Sequence, residues 1–144
     1  MPGRLLALDV GTRTVGLAVS DPERRLVRPL GTLVRRGVKR DADALAATAR
    51  AEGVVGLVVG LPLDERGAET RSTHLARQLG EALARASHLP LAWMDERFST
   101  VEAARRLRDQ GLSERQARSR IDAEAAAVIL EDFLASPDAQ AFGA

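Results

Sequence analysis

The chain has 144 residues, 21 lysines and arginines against 20 aspartates and glutamates, and no cysteine. This length favours one domain with a sizeable core and excludes a two-lobed enzyme, while the lack of cysteine excludes disulfides, thiolate metal sites and cysteine nucleophiles. The near-zero net charge gives no global argument for a nucleic-acid partner. No signal-type segment or bilayer-length apolar run is present, so we expect a cytoplasmic protein with no membrane partner.

The first predicted elements are two strands joined by a short turn. Residues 5–10 form an apolar run that only Asp9 interrupts and that stops at Gly11, which predicts a buried strand. Residues 15–20 have the branched and small side chains of a second strand, and the intervening Gly-Thr-Arg-Thr predicts an antiparallel hairpin. Asp9 therefore ends a core strand, where a carboxylate needs a metal, a metal-bound phosphate or an arginine. Alternatively, Asp9 only caps the following turn.

The middle of the chain alternates strands and helices. Pro29 marks the start or the exposed edge of a third strand, predicted over residues 28–35. Helices over 41–50 and from 69 or 70 to 87 precede two further apolar runs, at 54–59 and 91–94. A strand, a helix and a following strand in this order predict a parallel crossover.

Helix-capping signals divide the last third of the chain into two predicted helices. The capping box of residues 99–102 predicts a helix that Gly111 ends. A second box at residues 113–116 opens an arginine-rich segment, and the last helix is predicted over 121–135. From residue 136 onward there is no periodicity, so this tail is predicted to fray.

Asp122 differs from the other acids of the predicted last helix. Glu124 and Glu131 lie on a separate stripe, which is the expected solvent face. Asp122 lies on the stripe that should be buried, together with Ala126, Ile129 and Phe133. Alternatively, Asp122 is only a favourable anion in the first turn of that helix.

Asp9, the pair Asp95 and Glu96, and Asp122 end separate core elements. In an open sheet the carboxyl ends of neighbouring parallel strands face one crevice, so we expect these acids to converge. Oxygen ligands without histidine or cysteine suit Mg²⁺ or Mn²⁺. Two such ions about 3.5 to 4 Å apart activate water and stabilise the leaving oxygen of a phosphodiester. All four acids are candidate catalytic and metal-ligating residues, because side-chain alternation does not distinguish Asp95 from Glu96.

Arginines, with Lys39 the only lysine, suggest a nucleic-acid partner because arginine is the better bidentate phosphate ligand. They cluster in two regions, residues 24–40 and 97–120, which could form a salt-dependent phosphate clamp. Each run taken alone is also typical of an ordinary solvated face. The candidate nucleic-acid-binding residues are Gly11, Thr12, Arg13, Arg97, Ser99, Thr100, Arg105, Arg118 and Arg120.

Four segments in this order, LALDVGTRTVGLAVSD, VVGLPL, MDERFST and IDAEAAAVIL, resemble the YqgF/RuvX family of bacterial RNase H-like nucleases. The resemblance implies an α/β, three-layer RNase H-like fold. Its five-stranded mixed sheet has three antiparallel and then two parallel strands, with helices on both faces. The expected domain covers residues 1–136, with the frayed tail at 137–144.

The resemblance also implies a nuclease that uses Mg²⁺ or Mn²⁺, with Asp9, one acid of Asp95 and Glu96, and Asp122 as ligands. The family is associated with 5′-end processing of the small-subunit ribosomal RNA precursor and with resolution of DNA junctions. Resolvases carry an additional acid on the last helix, whereas the positions that follow Asp122 on its stripe here are apolar. A three-acid site is then weaker, or selective for a different substrate.

Two other functions remain open on the sequence. Asp-x-Gly-Thr before a second strand also resembles the phosphate-binding hairpin of sugar kinases and actin-like ATPases, although those proteins need two lobes. The chain could also be a non-catalytic nucleic-acid or ribosome-associated module. The sequence leaves open RNA or branched or single-stranded DNA as the substrate, endonuclease or exonuclease action, and a monomer or a homodimer, which symmetric junction cleavage would need.

Overall fold

The structure, a computed structural model, describes residues 2–96, 99–137 and 139–143, without the side chains of residues 99, 100, 118 and 119. Nine elements follow one another in these residues. They are β1 (Arg4–Val10), β2 (Thr14–Ser20), β3 (Val27–Val34), α1 (Val38–Glu52), β4 (Val54–Leu61), α2 (Arg71–Ser87), β5 (Leu91–Asp95), α3 (Ser99–Asp109) and α4 (Glu114–Leu134). In the part of the chain that is described, no helix has the length and hydropathy needed to cross a membrane.

The strands form one mixed sheet in the order β3-β2-β1-β4-β5. β1 is antiparallel to β2, and β2 to β3, whereas β4 runs parallel to both β1 and β5. The predicted fold class is confirmed, with three antiparallel strands followed by two parallel ones and helices on both faces. β1 is the central strand, so its carboxyl end lies midway between the two outer strands of the sheet.

Side-chain alternation along β1 divides the core into two layers. Leu6 and Leu8 belong to the core layer on the α1 and α2 face. Leu5 and Ala7 point to the opposite side and pack with Ile129 of α4. We call this second side the α4 face. Helix α4 crosses β1, β2, β3 and β4 on this face, and α3 packs on α4.

Helix α4 begins seven residues earlier than the sequence predicted. Ser113 is its N-cap: the Ser113 hydroxyl accepts from the Gln116 N–H at 3.2 Å, and Gln116 Oε1 accepts from the Ser113 N–H at 3.0 Å. The predicted start at residue 121 was wrong because the polar, arginine-rich first turns lack an apolar stripe. Asp122 is therefore the ninth residue of α4, so the interpretation of Asp122 as a first-turn anion is also wrong.

Glu124 and Glu131 do not form the predicted solvent face of α4. Arg106 of α3 donates from Nη1 and Nη2 to the two carboxylate oxygens of Glu131, at 3.0 and 2.7 Å, and its Nη1 lies 3.9 Å from Glu124 Oε1. This ion-pair group joins α3 to α4. The prediction failed because α3 covers a face of α4 that is polar in sequence.

Two residues of the predicted frayed tail, Ala139 and Phe142, pack against the rest of the domain. Ala139 is fully buried, and its carbonyl oxygen accepts from Arg24 Nη1 at 2.6 Å. Arg24 is itself buried and donates from Nε to the Gly3 carbonyl oxygen at 2.8 Å. The ring of Phe142 meets that of Phe133 edge to face, with centroids 5.5 Å apart. Long-range contacts, rather than periodicity, hold Ala139 and Phe142 in place.

Candidate active site

Asp9 lies on the α4 face at the carboxyl end of the central strand. It shares that face with Leu5 and Ala7, because alternate residues of a strand point the same way. Asp9 is directly opposite Gly16 in the β1–β2 register, and it is half-buried. The carboxylate therefore lies at the edge of the layer between the sheet and α4.

At Gly16 the backbone of α4 lies directly against the sheet. A Cβ built on Gly16 would lie 1.9 Å from the carbonyl oxygen of Asp122, so only glycine leaves room for the α4 backbone at this position. Thr14, two residues away on the same face of β2, donates its hydroxyl hydrogen to Asp122 Oδ2. Gly16 and Thr14 together place Asp122 beside Asp9.

The structure distinguishes Glu96 from Asp95. Trp93 packs on the α2 side of the sheet and Met94 on the α4 face, so Glu96 continues the α4 face and Asp95 the opposite one. A Cβ built on Gly60 would lie 2.8 Å from Cγ of Glu96, so this glycine leaves space for the Glu96 side chain. Glu96 is half-buried, whereas Asp95 is exposed. Glu96, and not Asp95, is therefore brought to the other acids.

Glu96 and Asp122 lie close enough to Asp9 to oppose the ionisation of its carboxyl group. Burial, the charges of Glu96 and Asp122, and a hydrogen bond with Glu96 together raise the pKa of Asp9 to about 8. Burial and like charges both penalise the ionised form of a carboxyl group. A cation bound among these acids would relieve the same penalty.

The donor chemistry of these acids fits a hard divalent cation. Three carboxylates offer only oxygen ligands, which Mg²⁺ and Mn²⁺ prefer, and crowded negative charge favours metal over proton. As they are placed, no group of three or more acidic or histidine side chains in residues 2–96, 99–137 and 139–143 has the geometry of a metal cage. Binding would require the carboxylates to draw together around the ion.

A buried ion pair between Arg35 and Asp41 holds the β1–β2 turn in place. Arg35 Nε donates to Asp41 Oδ2 at 2.8 Å, and Arg35 Nη1 donates to the Gly11 carbonyl oxygen at 3.0 Å. Asp41 also accepts from the N–H groups of Arg36 and Gly37, at 3.0 and 3.3 Å. The turn that follows Asp9 is thus fixed to the start of α1.

Because of Asp41, the free energy of unfolding should decrease at acidic pH. Burial acts to raise the pKa of Asp41, but its hydrogen bonds with Arg35 and two backbone N–H groups outweigh burial and lower that pKa. A lowered folded-state pKa adds stability above the unfolded value of about 4, and this stability is lost as the pH falls through the folded-state pKa. Breaking such a buried pair costs about 3 to 5 kcal/mol.

We therefore expect Asp41→Asn to be less stable than the wild type at pH 7 by several kcal/mol, with a smaller difference at pH 3. Urea denaturation at pH 7, 5 and 3 measures this. Asp43→Asn is the matched control, because Asp43 forms only an exposed pair with Lys39. A difference between wild type and Asp41→Asn that is independent of pH would contradict the prediction.

The predicted nucleic-acid-binding residues fall into three groups. Thr12 and Arg13 are exposed on the β1–β2 turn, which the Gly11 N–H closes by donating to the Thr14 carbonyl oxygen at 2.8 Å. Arg105 is on α3 and bonds Glu102 and Asp109, while Arg120 is exposed on α4. The predictions for Arg97 and for the side chains of Ser99, Thr100 and Arg118 lie outside the described residues.

Sequence reasoning missed the residues that position the acids. Gly16 and Gly60 interrupt apolar strands, and a glycine inside a strand is a signal of close backbone approach that could have found them. The bonds of Thr14 to Asp122 and of Arg35 to Gly11 join residues far apart in sequence, so no local signal marked them.

The fold is of the RNase H-like class, as comparison with solved structures shows. RuvC from T. thermophilus, in complex with a Holliday junction substrate, superposes with a TM-score of 0.58 over 92% of this chain and 93% of its own, at 19% identity. A second T. thermophilus RuvC structure gives a TM-score of 0.55 at 16% identity, over 88% of this chain.

A family model described as "RuvX: Holliday junction resolvase" matches residues 3–136. The chain belongs to the RuvX family. A relative from Anaeromyxobacter sp. (strain Fw109-5) is 48% identical over 131 residues, which cover 91% of this chain and 96% of that protein. A relative from Roseiflexus sp. (strain RS-1) is 42% identical over 137 residues, with coverages of 94% and 96%. Both bear the name "Putative pre-16S rRNA nuclease". The predicted family is confirmed.

Proposed function

We propose that this protein is a metal-dependent nuclease that hydrolyses phosphodiester bonds. The observation that carries the proposal is the convergence of Asp9, Glu96 and Asp122 on the α4 face, at the end of the central strand. The names of the family and of its relatives support the same activity. The proposed substrate is the 5′ end of the 16S ribosomal RNA precursor, a branched DNA intermediate, or both.

Asp9, Glu96 and Asp122 would hold Mg²⁺ or Mn²⁺, with two ions in the full site. When bound, such ions activate a water molecule and stabilise the leaving oxygen of the scissile bond. Thr14 orients Asp122 by donating to its Oδ2. The turn at Gly11, Thr12 and Arg13 lies next to Asp9 and would let a substrate phosphate approach, with Arg13 supplying positive charge.

Parallel cleavage assays test this proposal and identify the substrate. Precursor 16S RNA, single-stranded DNA and a four-way DNA junction are incubated with the protein in Mg²⁺, in Mn²⁺ or in chelator. We expect cleavage of at least one substrate with metal, none in chelator, and none by Asp122→Asn. Binding without any metal-dependent cleavage, equal in wild type and Asp122→Asn, would contradict a nuclease and favour a non-catalytic nucleic-acid module.

Adjacent acids at the end of β5 provide a matched test of the site. Glu96→Gln removes a carboxylate from the cluster, so we expect its cleavage rate to fall at least about 100-fold. Asp95→Asn changes the preceding residue, which is exposed and lies on the other face, so we expect it to keep a rate close to the wild type. Initial rates on one substrate measure both. The reverse order of effects would assign the role to Asp95.

A further inference from the structure

A cleft of about 460 Å³ opens on the α4 face between β3 and the pair α3 and α4. It is not part of the carboxylate cluster, and no candidate ligand lines it. Its volume is within the usual range for small-ligand sites and is too small for a nucleic-acid duplex. The residues of its lining that bear on its chemistry are Thr32, Leu107, Gln110, Arg120, Ala123 and Glu124.

The cleft adjoins the candidate active site on the same face. Asp9 is opposite Gly16 on β2, and Gly16 is opposite Thr32 on β3. Asp9 and Thr32 are therefore two strand spacings apart, a distance of about 10 Å. On the other wall, Ala123 follows Asp122 directly along α4. A strand whose phosphate reaches Asp9 would have a neighbouring nucleotide over this cleft.

The cleft combines an apolar floor with polar groups at its rim. Leu107 and Ala123 are buried at the floor. The rim carries the hydroxyl of Thr32 and the amide of Gln110, both on exposed residues. Such a lining suits a flat heteroaromatic ring whose edge carries hydrogen-bond donors and acceptors.

The charged side chains at the rim suit a nucleotide, which carries a phosphate, better than they suit a neutral ring without one. Arg120 is exposed and can meet a phosphate. The Glu124 side chain is only 13% exposed, with Arg106 Nη1 3.9 Å from its Oε1. This carboxylate can accept a hydrogen bond from the exocyclic amino group of a base.

We propose that this cleft is a subsite for one unpaired nucleobase of the substrate strand, next to the phosphate that lies at Asp9. A paired base cannot enter, because its edge is occupied and its faces are stacked. The subsite thereby favours strands that are single-stranded, or opened, beside the scissile bond. The inference depends on the proposed function only for the substrate class.

The test is a binding measurement that needs no cleavage. Short single-stranded RNA and DNA oligonucleotides of one sequence carry 2-aminopurine at successive positions and are titrated with protein in chelator. We expect the fluorescence of one position to change when that base leaves its stacked neighbours. The RNA and DNA arms show which backbone is bound more tightly.

Three variants locate the bound base. Thr32→Trp fills the cleft from an exposed strand position, and Gln110→Ala removes a rim amide without adding bulk. We expect Thr32→Trp and Gln110→Ala to weaken binding, Thr32→Trp by about 5- to 100-fold, and to abolish the position-specific fluorescence change. Leu26→Trp is the matched control, because Leu26 is exposed and outside the cleft. Its binding should equal that of the wild type.

The outcomes separate the subsite from the nuclease activity. Equal affinity and an unchanged fluorescence pattern in wild type, Thr32→Trp and Gln110→Ala would overturn the subsite, even if the protein cleaves nucleic acid. Selective loss in Thr32→Trp and Gln110→Ala would support the subsite, even if no substrate is cleaved and the proposed function fails.

Discussion

Asp9→Asn is expected to abolish metal-dependent cleavage while making the metal-free protein more stable. The first effect follows because Asp9 would be a ligand of the ions, so we expect the rate to fall at least about 100-fold. The second follows because Asp9 is a half-buried acid beside Glu96 and Asp122. At pH 7 the unfolded chain ionises Asp9, whereas the folded chain, in which the Asp9 pKa is about 8, must protonate it or bear the repulsion, and a neutral amide of similar shape avoids both costs.

Thermal unfolding in chelator and in Mn²⁺ measures the second effect. We expect the Tm of Asp9→Asn in chelator to exceed that of the wild type by a few °C, since about 1 kcal/mol shifts a domain of this size by roughly 2 to 8 °C. Mn²⁺ should raise the Tm of the wild type and leave that of Asp9→Asn nearly unchanged. Asp64→Asn, in an exposed turn, is the control. A less stable Asp9→Asn would mean that Asp9 has a structural role.

Gly16→Ala is expected to destabilise the protein more than the same substitution at Gly56 or Gly60, two other glycines of the sheet. Its Cβ would meet backbone atoms, with the Asp122 carbonyl oxygen at 1.9 Å, and a helix backbone cannot turn aside as a side chain can. Helix α4 must move away, and Asp122 moves with it. We expect a loss of about 3 kcal/mol or more, at the upper end of overpacking effects, together with loss of cleavage.

Gly56→Ala is the matched control for this substitution. Its added Cβ would meet only side-chain tips, Leu5 Cδ2 and Phe142 Cε2, each at 2.9 Å. These tips can shift, so we expect a cost of about 1 kcal/mol and retained cleavage. Urea denaturation and initial rates compare the two variants. Similar losses in both would show that α4 adjusts its position easily.

Local patterns predicted the strands and two of the three acids at the site. Asp9 lies at the end of an apolar run, and Asp122 lies on the apolar stripe of a helix, so the local pattern made both of them candidates. The choice between Asp95 and Glu96 required the three-dimensional structure, because both faces of β5 are apolar. Only the packing of α4 shows which face leads to Asp9.

Contacts between distant parts of the chain were not predictable in this way. Arg35 and Asp41 are recognisable as a buried pair only when the turn at Gly11 is known to lie against them. Arg24 reaches the carbonyl oxygen of Ala139, 115 residues away, and no periodicity marks that segment. The start of helix α4 was predicted too late because its first turn is exposed and polar, so no apolar stripe marks it.

The hydrogen bond from Thr14 to Asp122 also bears on how the protein is made. It joins residues 108 apart in sequence, so it closes one of the longest loops that the chain can form. A nascent chain can pair β1 with β2 early, but the third acid arrives only when the last helix leaves the ribosome and docks. Chains truncated before α4 would therefore lack the complete carboxylate cluster.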